Sequence, residues 1–351
     1  MIFYGLLAIL TSIFATITAK CKDNISRGVM LFITVFTPSF FAAVRYGIGT
    51  DYFSYKQGFT NLELGWGSNS EISYKIISEL IIMLGGDFQL LLFIIEAITV
   101  LFIYFALDYH KKHLNVGIGM FVFMLLFYQM SYNTMLQVTA MAIILYSIRY
   151  ILEKRLILFS LFVLLAVTFH FSVLVIYPFY FIYQLIGSNK KLDKFIRIIL
   201  YVLILFISYY YDIILTGLVP EHYKHYLQRD PSLELGFGVL ILNLPYIVAA
   251  NYLYRKFKEN CNVFIFYYCT YFVGFILNFS IYYASTFAYR LSWNFIIVQI
   301  ILLPYLIEKF WGNKRYFFGW LLVFFIIFTW WYRYFYAQND ETVPYEWIFN
   351  V

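Results

Sequence analysis

The chain of 351 residues is 63% hydrophobic and only 13% charged, with a formal net charge of +6 and a mean hydropathy of +0.75. Those totals exclude an ordinary soluble globular domain, and the positive charge reads as a membrane topology signal, so no nucleic acid is expected as a partner. Apolar runs recur from end to end, and about 20 helical residues cross a hydrocarbon core about 30 Å thick. The expectation is an all-α, polytopic transmembrane bundle, one integral membrane domain over residues 1–351.

Taken in chain order, the opening stretch MIFYGLLAILTSIFATITAK lacks the basic start and small-residue cleavage site of a signal peptide, and reads as a retained first helix. Spans are expected at roughly 2–19, 28–44, 88–107, 116–130, 134–150, 156–169, 171–186, 196–215, 237–254, 262–281, 291–307 and 316–332, about twelve in all. The segment 70–84, SEISYKIISELIIML, carries Glu71, Lys75 and Glu79 and reads as an amphipathic or re-entrant helix, with a thirteenth span as the alternative.

Eighteen of the 25 Lys and Arg fall in loops at 20–27, 108–115, 149–155, 187–197, 255–260 and 308–315. The positive-inside rule puts these loops in the cytoplasm and both termini outside. The outer breaks are then the loops at about 45–75 and 216–236 and the tail 333–351. The apolar run 156–186 is about 46 Å long as one helix, yet both flanks, LEKR and SNKK, are basic. An even number of crossings is required, so the chain is expected to turn near His170, at a corner that protein must cover.

Polar residues collect on the predicted outer side. In VRYGIGTDYFSY (44–55), Arg45 directly follows an apolar helix: it is either an interfacial Arg or a guanidinium fork for phosphate. Gly47 and Gly49 suit a tight turn, and Asp51 suits a helix cap or a carboxylate base. Asn133 and Gln137, four apart, are expected on one helix face, binding sugar hydroxyls or joining helices. His170 among apolar residues is a satisfied core group or a base. Arg290, in TFAYRLSWNF, poses the same choice as Arg45, and Arg333 closes the last span. Tyr52 and Tyr289 stand at the mouth as candidates to stack on sugar rings.

His222 and His225 have i,i+3 spacing, and a solvated loop helix is favoured over a metal site. Cys21, Cys261 and Cys269 have no metal-ligand spacing. HExxH, Asp-x-Asp, P-loop and Gly-x-Ser-x-Gly patterns are missing from the sequence, and no metal or cofactor is expected.

These pieces together resemble a known family. VRYGIGTDYFSY closely resembles the Arg-x-Gly-x-Gly-Thr-Asp-Tyr signature of the EpsG-like family of Wzy-type bacterial polysaccharide polymerases. YNTMLQVTAMAIILYS looks like that family's Asn-x-x-Arg-Gln helix start, LAVTFHFSVLVIYP its Phe-His-x-Ser segment, AYRLSWNF its late Arg segment and VPYEWIF its Pro-Tyr tail. One departure is Leu136, where the family often has Arg, so an anion contact present in relatives is missing and Gln137 ranks lower as a site residue.

The resemblance implies a GT-C-like membrane glycosyltransferase architecture in the bacterial cytoplasmic (inner) membrane, working on its outer face. It implies a growing glycan on undecaprenyl diphosphate as donor and one lipid-linked repeat unit as acceptor. The product would be O-antigen, capsule or exopolysaccharide, with a chain-length regulator protein as a further partner. Arg45 and Arg290 are expected on the diphosphate, and His170 or Asp51 at the nucleophilic hydroxyl. Asn133, Gln137, Tyr52, Tyr289 and Arg333 are secondary candidates. Two other classes stay open: a lipid-linked oligosaccharide flippase or transporter, and a membrane acyltransferase acting on surface glycan.

Overall fold

A computed structural model describes residues 1–68, 70–185, 237–256, 262–282 and 288–350. The predicted span 196–215, the loop 216–236 with His222 and His225, and Cys261 lie outside the described residues. Among the described residues the chain is helical throughout, and the only strand-like feature is one isolated antiparallel bridge, Arg45 to Trp347.

The first half contains α1 (Ile2–Lys20), α2 (Asn24–Ala43), α3 (Tyr52–Glu63), α4 (Ile72–Met83), α5 (Phe88–Tyr109), α6 (Val116–Leu126) and α7 (Met135–Leu152). After these come α8 (Leu156–Phe169), α9 (Phe179–Leu185), α10 (Phe237–Lys256), α11 (Asn262–Tyr282), α12 (Trp293–Ile296), α13 (Gln299–Gly312) and α14 (Tyr316–Trp331). Five helical stretches are long and apolar enough to cross a bilayer: Ile2–Lys20, Asn24–Ala43, Phe88–Tyr109, Met135–Leu152 and Tyr316–Tyr336. A sixth is the pair Tyr289–Ile296 and Gln299–Gly312, bent by 45° at its break. The segments Val116–Leu126, Leu156–Phe169, Phe171–Gln184 and Val263–Phe279 are apolar but shorter.

Local chemistry explains several boundaries. α2 starts at Asn24, earlier than its apolar run suggests, because the Asp23 carboxylate accepts from Ser26 N at 2.7 Å. Asp87 caps α5 through Leu90 N, and Asn115 caps α6 through Gly117 N and Ile118 N. The loop expected at 45–75 contains two helices, α3 and the start of α4.

α7 is the most deeply buried of the five long helices. Its small residues, Thr139, Ala140, Ala142 and Ser147, let neighbouring backbones approach closely. Thr139 shares a 2.7 Å hydroxyl contact with Thr99 of α5, and Thr18 of α1 shares one of 2.9 Å with Thr34 of α2. The outward faces of α1, α2 and α14 leave Ile9, Ile13, Phe32, Phe36, Trp320 and Phe324 exposed. Exposed apolar side chains along helices of membrane length fit a lipid-facing surface.

The predicted loop groups also meet in space. Arg27 pairs with Asp108 at 2.6 Å, Lys111 with the same carboxylate at 3.1 Å, and a cavity of about 340 Å³ gathers Lys20, Lys112 and Glu308. This is the basic end of the bundle.

At the other end the chain turns at His170, as the length of the 156–186 run requires. His170 has extended backbone (φ −160°, ψ 123°), and a 3-10 turn, Phe171–Ile176, replaces the start of the helix expected at 171. The returning segment packs back on α8, with Tyr177 and Tyr180 stacked on Phe159 and Ser160 bonded to Tyr177 at 3.0 Å. α4 covers this corner through Ser73 and Thr168, whose hydroxyls lie 2.5 Å apart.

Gly117 marks where α6 crosses α1: a Cβ there would stand 2.7 Å from the Ser12 carbonyl oxygen and closer still to the Thr16 hydroxyl. Gly117→Ala is expected to cost about 1–3 kcal/mol by overpacking. Gly28→Ala, whose Cβ meets nothing within 4 Å, is expected to stabilise α2 by about 0.5–1 kcal/mol. Thermal unfolding of the two detergent-purified variants checks this opposite pair of shifts.

Candidate functional site

Arg45 is only 2% exposed. It follows α2 directly, and its Nη1 donates to the Ala42 carbonyl at 2.6 Å while Nη2 donates to the Tyr132 carbonyl at 3.3 Å. The guanidinium lies over the Tyr132 ring at 4.3 Å and over Tyr52 at 6.0 Å. Among the described residues it makes no ion pair, and its Nε has no hydrogen-bond partner. Arg45 is therefore not at an open mouth, where the sequence puts it.

What covers it is the C-terminal tail. Tyr46 N donates to Glu346 O at 3.1 Å and Ile348 N to Val44 O at 2.9 Å, around the Arg45–Trp347 bridge. Tyr345 donates to Phe41 O at 2.6 Å, and Tyr4 to Thr342 O at 2.7 Å. Gln129 donates to the Thr342 hydroxyl at 2.7 Å and accepts from Trp330 at 2.6 Å. The tail carries strain: Gln338 (φ 50°), Asp340 (φ 69°) and Glu341 (φ 48°) all sit in the left-handed region.

Asn133 holds that strained turn. Its Nδ2 donates to the Asp340 carbonyl at 2.9 Å and to the Asp340 carboxylate at 3.0 Å, and its Oδ1 accepts from Asp51 N at 3.5 Å. Gly49 N donates to Glu341 O at 3.3 Å. Gly47 (φ +62°) and Gly49 (φ +93°) make the left-handed turn their sequence suggests. A Cβ on Gly49 would collide with Asn133 Oδ1, so this glycine gives the tail clamp its room.

Beside the clamp, Asp51, His170 and Arg290 converge from three distant segments. Asp51 is the residue before α3, but its side chain makes no cap bond. Burial raises the Asp51 carboxyl above its ordinary value; Arg290 works against that shift and Asp340 adds to it. His170 also lies in the field of Arg290. The Ser172 backbone N–H donates to His170 Nδ1 at 3.4 Å. A neutral ring that accepts at Nδ1 carries its proton on Nε2.

Arg290 does not open a straight helix. It lies in a 3-10 turn, Ala288–Ser292, before the break into α13, with its guanidinium 5.6 Å from the Trp293 ring. Two amides fix this turn. Gln137 Nε2 donates to the Arg290 carbonyl at 3.1 Å. Asn294 Nδ2 donates to the Leu291 carbonyl at 3.1 Å and reaches Ser172 Oγ at 3.1 Å, which ties the His170 corner to the Arg290 turn.

Other expected positions fall differently. Asn133 and Gln137 do not share a helix face, because α7 begins only at Met135 and Asn133 belongs to the preceding turn. Tyr52 is fully buried against Phe53 and Phe88, so its ring presents no face to a sugar as folded here. Tyr289 is half-buried, edge-on to Trp293 at 5.4 Å. Arg333 lies in a π-helical turn, Tyr332–Tyr336, and donates to Leu126 O at 3.4 Å in the field of Asp340.

Asp340, Asn294 and Glu96 escaped sequence reasoning. Asp340 stands in the outer tail, Asn294 in an apolar run, and Glu96 as a lone acid within α5, which was a usable signal.

A multi-pass bundle of apolar helices, with a carboxylate, an imidazole and a guanidinium drawn together at its breaks, defines an integral membrane protein. The chain belongs to the EpsG family, whose sequence pattern matches residues 28–347, nearly the whole length; this is a Wzy-like polysaccharide polymerase family. Neither a curated protein nor a solved structure matches the chain.

Because Asn133 makes both side-chain bonds to Asp340, Asn133→Ala is expected to loosen the tail. Limited proteolysis with a C-terminal epitope should then remove the tail several-fold faster than in the parent. Gln137→Ala, whose amide holds a different turn, should leave tail cleavage unchanged.

Proposed function

We propose that this polymerase transfers a growing glycan from undecaprenyl diphosphate to the terminal sugar hydroxyl of a lipid-linked repeat unit, on the extracytoplasmic face, without a metal. The carrying observation is the convergence of Asp51, His170 and Arg290 from otherwise distant segments. The acceptor hydroxyl attacks the anomeric carbon of the donor, the bond to the diphosphate oxygen breaks, and undecaprenyl diphosphate leaves with that electron pair.

Each residue has a distinct task in this reading. Arg290 meets the negative charge developing on the leaving diphosphate, and its planar fork suits phosphate oxygens. Asp51 takes the proton from the attacking hydroxyl; a carboxyl raised by burial is a better base than an exposed one. His170, with Nδ1 accepting from Ser172, donates from Nε2 and orients a sugar oxygen. Arg45 stands one layer deeper and holds the Ala42 and Tyr132 carbonyls that floor the site. Its contact with a diphosphate requires the tail to move aside. Arg333 and Tyr289 border the same mouth, and Gln137 and Asn133 hold the turns around it.

Arg290→Ala and His170→Ala are expected to express at parental levels but to reduce surface glycan to single repeat units on a gel. Arg45→Ala is expected to lose both glycan and thermal stability. Long-chain glycan from both Arg290→Ala and His170→Ala would sink the assignment. Purified protein should elongate lipid-linked repeat units in detergent, which a flippase cannot do.

The charge of Asp340 opposes ionisation of Asp51. Asp340→Asn should therefore lower the Asp51 carboxyl toward its ordinary value and move the acid limb of the pH–rate profile to lower pH. A limb that stays in place, or moves up, argues against Asp51 as the base.

A further inference from the structure

Glu96 lies in the interior of α5, is 3% exposed, and takes no part in the reaction as drawn above. Its Oε2 is 2.8 Å from Ser131 Oγ, and the same Ser131 Oγ is 2.6 Å from the Tyr128 carbonyl oxygen. A serine hydroxyl has one proton to give. If Glu96 were ionised, both neighbours of Ser131 would be acceptors, and its one proton would have to be shared between two short oxygen–oxygen contacts. A protonated carboxyl instead gives each contact a proton of its own, which a carbonyl cannot do.

Two further observations agree. Glu96 Oε1 has no hydrogen-bond partner, and Glu96 makes no ion pair among the described residues. Arg45 is near enough for its field to reach Glu96, and its Nε is also without a partner, yet the two groups do not meet. An anionic carboxylate enclosed at this depth, with one bond and a bare oxygen, would carry a large desolvation penalty and draw the guanidinium to it.

We infer that Glu96 is held as the neutral carboxylic acid, donating to Ser131 while Ser131 donates to the Tyr128 carbonyl, and that it is a positioning residue for the floor of the site. The turn it fixes is the 3-10 segment Met130–Tyr132. The next residues of that turn do the rest: Tyr132 presents its carbonyl and ring to Arg45, and Asn133 clamps Asp340 and meets Asp51 N. The functional consequence rests on the polymerase reading; the protonation state does not.

Infrared difference spectra of parent against Glu96→Gln, in lipid nanodiscs at neutral pH, test the protonation state directly. The carbonyl stretch of a protonated carboxyl should be present in the parent and missing from the variant. Its absence from the parent, or its persistence in Glu96→Gln, overturns the inference.

Elongation of lipid-linked repeat units tests the role. The Gln amide can donate to Ser131 as the acid does, so Glu96→Gln should keep turnover within about twofold. Glu96→Ala should lose about tenfold, the scale of one lost buried hydrogen bond, at unchanged KM for the repeat unit. Glu96→Gln as impaired as Glu96→Ala would instead make Glu96 the counter-charge of Arg45 and sink the proposal. Should Arg290→Ala and His170→Ala stay active, the site reading falls while the infrared result still decides the state of Glu96.

Discussion

Burying Arg45 is the constraint on which the site end of this bundle depends. A guanidinium with five donors cannot be enclosed in an apolar interior unless acceptors are brought to it. Here they come from backbone: the Ala42 carbonyl at the end of α2 and the Tyr132 carbonyl in the turn before α7. One arginine thus ties two segments far apart in sequence, and its stacking on Tyr132 fixes the same turn a second time. The tail closes the arrangement by pairing with residues 44–46, so the site has a floor, a wall and a roof built around a single cation.

Helix breaks are the second organising feature. Asp51 precedes α3, His170 interrupts the path from α8 to α9, and Arg290 sits in a 3-10 turn before a 45° bend. Irregular backbone in a membrane protein survives only where protein or a polar cavity satisfies its amides and carbonyls. Each break here has such a keeper. Gln137 holds the Arg290 carbonyl, Asn294 bridges Leu291 and Ser172, and Asn133 holds the strained Asp340 turn. The polar residues of this end therefore divide into ionisable groups gathered at the breaks and amides that hold the breaks in shape.

Much of this was legible in the sequence, for identifiable reasons. The turn at His170 followed from counting, since a 31-residue apolar run between basic flanks cannot cross once. Gly47 and Gly49 took up left-handed backbone as their spacing suggested, because only glycine does so without strain. Arg45, Asp51, His170 and Arg290 stood out because ionisable residues beside apolar runs are costly. The failures are physical as well. Asn133 and Gln137 are four apart, but periodicity cannot reveal that α7 starts between them. Nor can it reveal that Tyr52 turns inward, or that the tail returns to cover Arg45, because tertiary pairing has no local signature.

The two ends of the bundle place their cations differently. The basic end holds most of the lysines, exposed ones such as Lys20, Lys111 and Lys112 among them, where a point charge need only stay in water. At the site end the residues drawn into the protein are Arg45, Arg290 and Arg333, each against an aromatic ring. Topology needs only positive charge, which lysine supplies. For the diphosphate of the proposed reaction, a flat fork that keeps its charge when desolvated and packs on aromatic faces is better suited than a lysine ammonium. Arginine packed on aromatic rings occurs at the basic end as well, Arg149 over Tyr146 and Tyr150 and Arg315 over Tyr252; what the other end adds is depth, with Arg45 only 2% exposed.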